Sequence, residues 1–186
     1  KIILCPSFPS LHSVYKAIAD SNIGIGAQNI SSKKRGALTG EVSAEMLLDS
    51  GCKWVIIGHS ERRQIFGESD LIIREKINIA RSSGIMPIIC IGENLDERIS
   101  GKTISVLETQ VKSILENIDG CNSIFAYEPL WAIGTGESAS SEVVFETHQK
   151  IREMLIDLSL KNSQIPLLYG GSVTPLNAKE LAALDN

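Results

Sequence analysis

Six short apolar runs recur along the chain about 20 to 45 residues apart, and helical patterns fill the intervals between them. Runs of this kind are typical of strands buried on both faces, as in a parallel sheet. We therefore expect a parallel sheet with one strand at each run. The six runs are Ile2–Cys5, Ile23–Ala27, Trp54–Ile57, Pro87–Ile91, Ile124–Tyr127 and Ile165–Tyr169.

The intervals carry amphipathic helix patterns with recognisable ends. In residues 70–83, apolar side chains recur at three- and four-residue steps, and Gly84 follows as a C-terminal cap. Residues 104–118 and 144–158 repeat this pattern. Thr174 followed by Pro175 predicts an N-cap and a first helical residue, with the helix running to Leu181. This alternation predicts one α/β domain over residues 1–186, either an open doubly wound sheet or a closed barrel.

The polar residues that directly follow the strands favour the barrel. An open sheet concentrates its site at one switch point, whereas a barrel gathers the ends of many strands around one mouth. Nearly every predicted strand here is followed at once by residues capable of chemistry. They are Gln28-Asn29, His59-Ser60-Glu61, Glu93, Glu128 and Gly170-Gly171-Ser172.

Charge and cysteine content exclude several classes of partner. The formal net charge is −4, and no basic run exceeds Lys33–Arg35, so we expect neither nucleic acid nor an anionic membrane as a partner. No apolar stretch approaches the roughly 20 residues needed to span a bilayer. The four cysteines lie far apart without a CxxC pair, which predicts neither a zinc site nor a disulfide framework and fits a reducing cytoplasm.

One segment, Ala126–Gly136 with the sequence AYEPLWAIGTG, resembles the catalytic-base and lid signature of triosephosphate isomerases. Five further segments resemble the same family in the same order, so the match covers essentially the whole chain. They are Gly26–Asn29, Gly36–Glu41, Gly58–Arg63, Cys90–Glu93 and Tyr169–Val173. The resemblance implies a (β/α)8 TIM barrel that interconverts dihydroxyacetone phosphate and glyceraldehyde 3-phosphate as a homodimer without a cofactor or metal.

The chemistry of this reaction requires a base that removes a carbon-bound proton and an electrophile that stabilises the enediolate oxygen. The resemblance assigns the base to Glu128 and the electrophile to His59. Glu128 ends an apolar strand beneath a bulky segment, where we expect a partly desolvated and more basic carboxylate. From position alone, an exposed strand-end Glu128 is the alternative. His59 lies where a strand passes into a helix, so we expect a neutral imidazole that donates a hydrogen bond.

The segment Pro129–Gly136, called here the lid segment, has a stiff start, an apolar middle and two late glycines, which is typical of a loop that closes over a ligand. An ordinary βα loop is the alternative. The resemblance implies that the amides of Gly134 and Ser172 bind the substrate phosphate, with Gly171 beside them.

Other residues receive supporting roles from the resemblance. Glu61 resembles the residue that supports an amino-terminal catalytic lysine, and Cys90 and Glu93 resemble neighbours of the base. The loop from Ser31 to Val42 resembles the family loop that reaches into a second subunit, with Thr39 near its tip. His12 and His148 are interpreted as surface or scaffold histidines, and Arg62, Arg63 and Arg152 as ion-pair scaffold.

The family pattern extends beyond both ends of this sequence. It begins with an Asn-x-Lys strand, whereas Lys1 corresponds to the second strand, and it closes with a further strand and a glycine-pair loop. We therefore interpret the chain as incomplete. An inactive barrel fragment that binds only phosphate or partner subunits is the alternative function. An aldolase-like lyase is less favoured, because no predicted strand ends in a Schiff-base lysine.

Overall fold

The structure is a computed structural model that describes residues 1–116, 123–133, 139–158 and 165–184. The chain forms two compact units, residues 1–89 and 90–186. The sequence prediction of one domain over residues 1–186 stays a prediction.

The strands of the first unit pair in parallel and in chain order. β1 pairs with β2, β2 with β3, and β3 with β4. β2 and β3 have almost wholly buried side chains, which the apolar runs predict. The bounds are β1, Ile3–Leu4; β2, Gly24–Ala27; β3, Trp54–Ile57; and β4, Met86–Ile91, whose last two residues belong to the second unit.

Helices follow these strands, and the longest of them is formed by local signals. It is α4, where the Ser69 hydroxyl accepts a hydrogen bond from the Ile72 amide and caps the first turn. Its buried stripe faces the core, and Gly84, with φ of +80°, follows its end as predicted. The bounds are α1, Leu11–Ala17, after a 3₁₀ turn at Phe8–Ser10; α2, Ala44–Asp49; α3, Ser60–Gln64; and α4, Asp70–Ser82.

A buried charged cluster lies in the first unit. The Lys76 ammonium on α4 donates to Glu68 Oε1 at 2.5 Å and to Asn29 Oδ1 at 2.8 Å. The Arg62 guanidinium donates to the same Glu68 oxygen at 2.5 Å. Burial lowers the pKa of Lys76, while the neighbouring Glu68 carboxylate opposes that shift. Asn29, one of the polar residues that follow a strand, thus serves the core of this unit.

The second unit contains the end of β4 and two further parallel strands, β5 and β6, which pair with Phe125 opposite Leu167. The Glu128 amide, just after β5, donates to the Ile91 carbonyl at the end of β4. The bounds are β5, Ile124–Tyr127; β6, Leu167–Tyr169; α5, Leu95–Ile99; α6, Thr103–Leu115; α7, Ser141–Asp157; and α8, Ala178–Leu181. A 3₁₀ turn spans Leu130–Ala132.

Two expectations about these elements are wrong. β1 and β6 are not buried on both faces, since Leu4 is 39% and Leu168 is 43% exposed. Each has only one partner strand among the described residues, so less of its surface is covered. The last helix begins at Ala178 and not at Pro175. Asn177 holds the preceding residues in a turn, because its side-chain oxygen accepts from the Thr174 amide at 2.7 Å.

The described helices include none with the length and apolar character needed to cross a membrane. Parallel strands that alternate with helices along both units place the chain in the predicted α/β class.

Candidate active site

Glu128 is buried at the carboxyl end of β5. Its exposed fraction is 5%, and its amide donates to the Ile91 carbonyl at 2.8 Å. The alternative of an exposed strand-end carboxylate is therefore wrong. Burial of a carboxylate at a strand end is unusual for a residue that serves only solubility, and it is common where a carboxylate does chemistry.

Two glycines leave the space that Glu128 occupies. A Cβ on Gly92 would lie 1.7 Å from the Glu128 carbonyl oxygen, and a Cβ on Gly170 would lie 2.8 Å from its Cγ. The Gly170 amide also donates to the Tyr127 carbonyl at 2.7 Å. Gly92 thus lies against the main chain of Glu128 and Gly170 against its side chain, which restricts where the residue can lie.

Glu93 connects the end of β5 to the start of the lid segment. Its exposed fraction is 0%, and its Oε1 accepts from the Tyr127 hydroxyl and from the Trp131 indole, both at 3.1 Å. The Arg98 guanidinium lies 3.6 Å from the same oxygen. Burial, and then the Glu93 charge, raise the pKa of Tyr127 far above its ordinary value, so this hydroxyl stays a donor. The hydrogen bonds of Glu93 thus go to residues that flank Glu128 in the chain, and its role as a neighbour of the base stays a prediction.

The described residues of the lid segment are 129–133, and Gly134, a predicted phosphate ligand, lies outside the described residues. The Ser172 hydroxyl donates to the Ala132 carbonyl at 3.0 Å. On the far side of residues 134–138, the Ala139 amide donates to the Tyr169 hydroxyl at 3.3 Å. Both flanks of the stretch are therefore held by residues at the end of β6.

Gly171 and Ser172 follow β6 and are partly exposed, as backbone phosphate ligands need to be. A Cβ on Gly171 would lie 2.1 Å from the Tyr169 hydroxyl, so a larger residue here would displace that side chain. The Ser172 carbonyl accepts from the Asn177 side chain at 3.0 Å, which fixes the loop from its other end. The loop is thus built as a fixed backbone segment.

His59 occupies the predicted position where β3 passes into α3, and it is the N-cap residue of that helix. Its Nδ1 accepts a hydrogen bond from the Glu61 amide at 3.3 Å. A nitrogen that accepts carries no proton, so this contact leaves Nε2 as the nitrogen that can donate. The Arg63 guanidinium donates to the Gly58 carbonyl at 3.0 Å and steadies this turn.

The remaining predicted residues lie in both units. The Glu61 carboxylate is exposed and lies 3.6 Å from His59 Nδ1, and Thr39 is exposed in its loop. Cys90 is buried in β4 at 2% exposure. Cys5, Cys52 and Cys90 are free thiols, and Cys121 lies outside the described residues.

The structure agrees with the interpretation of His12 and His148 as surface or scaffold residues and of Arg62 and Arg63 as ion-pair residues, whereas Arg152 bonds to a backbone carbonyl. His12 is exposed, and His148 is 5% exposed with its ring edge-on to Tyr127 at 6.1 Å. Burial, and then the Arg152 charge, lower the pKa of His148 to about 4. Arg62 and Arg63 form ion pairs, and Arg152 donates to the Ile165 carbonyl at 2.5 Å.

The structure thus assigns His59, Glu61 and Thr39 to the first unit, and Cys90, Glu93, Glu128, Gly171 and Ser172 to the second. Within the residues that the structure describes, no group of three or more His, Cys, Asp or Glu side chains is arranged to hold a metal ion.

Sequence reasoning missed Tyr127, Tyr169 and Gln110. The two tyrosine hydroxyls bond to Glu93 and to the Ala139 amide, and the Gln110 amide bonds to the Gly92 backbone. One signal was available for the tyrosines, because a tyrosine at the end of a buried strand needs a polar partner for its hydroxyl. Nothing local distinguishes Gln110 from the other polar residues of its helix.

Parallel βα units whose strand ends carry a buried carboxylate, a helix-capping imidazole and a glycine-rich loop are typical of βα-barrel enzymes. A family model described as Triosephosphate isomerase matches residues 1–186. The chain is 48% identical over 183 residues to the triosephosphate isomerase of Aquifex aeolicus, covering 97% of this chain and 74% of that protein. The chain belongs to the triosephosphate isomerase family.

Two other relatives are also triosephosphate isomerases with similar identity and coverage. The triosephosphate isomerase of Carboxydothermus hydrogenoformans is 48% identical over 187 residues, which is 98% of this chain and 74% of that protein. That of Rhodopirellula baltica is 44% identical over 191 residues, which is 100% of this chain and 75% of that protein. The chain therefore spans about three quarters of the length of these relatives, and the predicted TIM-barrel fold class is confirmed.

Proposed function

We propose that this protein interconverts dihydroxyacetone phosphate and glyceraldehyde 3-phosphate, as an isomerase of glycolysis and gluconeogenesis. Family membership over the whole chain supports this function. The observation that carries the chemistry is the buried Glu128 at the end of β5, whose side chain lies against Gly170 and whose main-chain carbonyl lies against Gly92.

The proposed reaction moves protons between adjacent carbon and oxygen atoms. Glu128 removes a proton from C1 of dihydroxyacetone phosphate, which leaves an enediolate with its charge on the C2 oxygen. The Nε2–H of His59 stabilises that charge, and the C1 hydroxyl proton passes to the C2 oxygen. The protonated Glu128 then returns a proton to C2, and the C1 oxygen becomes the aldehyde. All atoms balance without an oxidant, a metal or an organic cofactor.

The phosphate group is proposed to bind backbone amides of Gly134 and Ser172, with Gly171 beside them. The hydrogen bond from Ser172 to Ala132 supports this role, because it links the phosphate loop to the lid segment. A lid that closes over the enediolate excludes water and keeps the intermediate from losing its phosphate. Cys90 and Glu93 are proposed to support Glu128, and Glu61 to support an amino-terminal catalytic lysine, rather than to touch the substrate.

We also propose a cytoplasmic homodimer. The loop from Ser31 to Val42 supports the dimer, because it is closed at its base by a backbone hydrogen bond of 2.9 Å while Leu38 and Thr39 stay exposed near its tip. In the same unit the adjacent Ile65 and Phe66 are 72% and 65% exposed, which leaves apolar surface available for contact with a second subunit. The free thiols fit a reducing cytoplasm.

The direct test is turnover by the purified full-length protein in both directions, followed with coupled dehydrogenases in the presence of a chelator. The proposal predicts turnover in both directions and exchange of the C1 proton with deuterated solvent. The alternative of an inactive fragment, which the relatives do not favour, predicts phosphate binding with neither turnover nor exchange. Intact mass is measured on the same sample, because a barrel of this class usually has about 250 residues whereas this sequence corresponds to 20.2 kDa. Absence of both turnover and exchange in folded protein of full barrel mass would refute the proposal.

A further inference from the structure

Gln110, on α6, makes two hydrogen bonds to a single backbone residue at the end of β4. Its Oε1 accepts from the Gly92 amide at 2.9 Å, and its Nε2 donates to the Gly92 carbonyl at 2.9 Å. A neighbouring strand would supply the same two bonds in a parallel ladder. The side chain therefore fixes both peptide groups that flank the Gly92 Cα.

Gly92 lies close against the main chain of Glu128. A Cβ added at Gly92 would lie 1.7 Å from the Glu128 carbonyl oxygen, far below an ordinary contact of 3.4 to 4 Å. Gly92 does not have the positive φ at which glycine is favoured for its backbone conformation. Close approach to Glu128 is therefore the reason that this position needs glycine.

The residues on either side of Gly92 hydrogen-bond to the backbone of Glu128 and of Leu130. The Ile91 carbonyl accepts from the Glu128 amide at 2.8 Å, and the Glu93 carbonyl accepts from the Leu130 amide at 3.0 Å. Residues 91–93 and 128–130 thus form one hydrogen-bonded ladder beyond the ends of β4 and β5. A shift of Gly92 displaces the backbone that carries the Glu128 side chain.

We propose that Gln110 is a positioning residue for Glu128 that acts through the Gly92 backbone, an inference that rests on the proposed isomerase function. The primary amide suits this role because it offers a donor and an acceptor in one plane, whereas a carboxylate offers no donor and an ammonium no acceptor. The residue is anchored on α6, whose buried stripe of Leu107, Val111 and Ile114 fixes the helix against the core. The amide thus transmits the position of a packed helix to the base.

The test compares Gln110→Met and Gln110→Glu with the parent in the full-length protein. Methionine keeps the length and the helix propensity but removes both hydrogen bonds. Glutamate keeps the acceptor and places an anionic oxygen against the Gly92 carbonyl. Gln149→Met, on an exposed position of α7, is the matched control.

We expect kcat to fall about tenfold or more in both Gln110 variants while KM changes less than about threefold, because a small displacement of the base affects proton transfer more than binding. The primary kinetic isotope effect with C1-deuterated dihydroxyacetone phosphate should increase in both, since proton abstraction becomes the slower step. The Gln149→Met protein should match the parent in kcat, KM and isotope effect.

A merely structural Gln110 predicts a different result. Melting temperature would fall, but kcat per folded molecule and the isotope effect would match those of the parent, and that outcome would overturn the inference. A Gln110→Glu protein with parental kcat would also overturn it, and so provides a second measurement if the methionine variant folds poorly. A parent that does not isomerise at all removes the proposed function together with this inference, whereas an active parent with unaffected variants removes only the inference.

Discussion

Replacing Gly92 with alanine tests how tightly the backbone around Glu128 is packed. The new methyl group would lie 1.7 Å from the Glu128 carbonyl oxygen and 2.7 Å from its carbonyl carbon. Both atoms belong to backbone, so no side-chain rotation relieves the overlap. To reach an ordinary contact of 3.4 Å, the two segments must separate by about 1.7 Å.

This separation has a cost in stability and a cost in rate. Overpacking of a core costs about 1 to 3 kcal/mol, and we expect the upper end here because backbone must move. Misplacing a reacting group by about 1 Å can cost on the order of 100-fold in rate. The Gly92→Ala protein should therefore lose about 3 kcal/mol in its free energy of unfolding, and its kcat per folded molecule should fall about 100-fold.

The assay measures kcat at saturating substrate and urea unfolding on the same preparation. Gly84→Ala is the control, because no atom lies within 4 Å of its Cβ position while its φ of +80° makes alanine strained. That variant should lose about 1 kcal/mol of stability with unchanged kcat. A Gly92→Ala protein that loses stability but keeps kcat within about threefold of the parent would refute the argument that this packing positions Glu128 for the reaction.

Three further predictions concern residues outside the proposed chemistry. Lys76→Met leaves the buried Glu68 carboxylate without one of its cations and should lower the free energy of unfolding by about 3 to 5 kcal/mol in a urea titration. Lys33→Met, in an exposed ion pair, is the control and should change the free energy of unfolding by less than about 1 kcal/mol. The pKa of His148 is about 4 in the folded state against an ordinary value of 6.5, so the unfolded state binds more protons between these two pH values. The free energy of unfolding should therefore fall as pH drops from 6.5 to 4, and this pH dependence should be shallower in His148→Gln. Thr39→Arg should yield monomers in light scattering at micromolar concentration, whereas the control Thr109→Arg, at an exposed position of α6, should stay dimeric. If both variants were dimers, or both were monomers, the assignment of the loop from Ser31 to Val42 to the dimer interface would be contradicted.

Local signals in the sequence predict the elements whose causes are local. The cap at Ser69, the apolar stripe and Gly84 all lie within or beside α4, so its bounds follow from sequence alone. The turn at Asn177 shows the limit of such signals. A Thr-Pro pair normally opens a helix, but the Asn177 side chain competes for the Thr174 amide and delays the helix by three residues.

The residues of the candidate site also include some that the local sequence predicts and others that only tertiary packing brings together. His59 and Glu128 are found in the sequence because each directly follows an apolar run, and the family resemblance supplies their roles. Gln110 and Gly92 are 18 residues apart and meet only when α6 packs beside the end of β4. Contacts of this type depend on tertiary packing, so no periodicity or motif within either segment predicts them.

The Glu128→Asp substitution tests the central claim most directly. It keeps the negative charge but withdraws the carboxylate by one methylene from its position beside Gly170. If Glu128 is the base, kcat in the full-length protein should fall on the order of 100-fold, while KM moves far less because phosphate binding does not pass through this side chain. A variant that melts at a lower temperature but keeps kcat within a few-fold of the parent would contradict the account and leave Glu128 as a structural carboxylate.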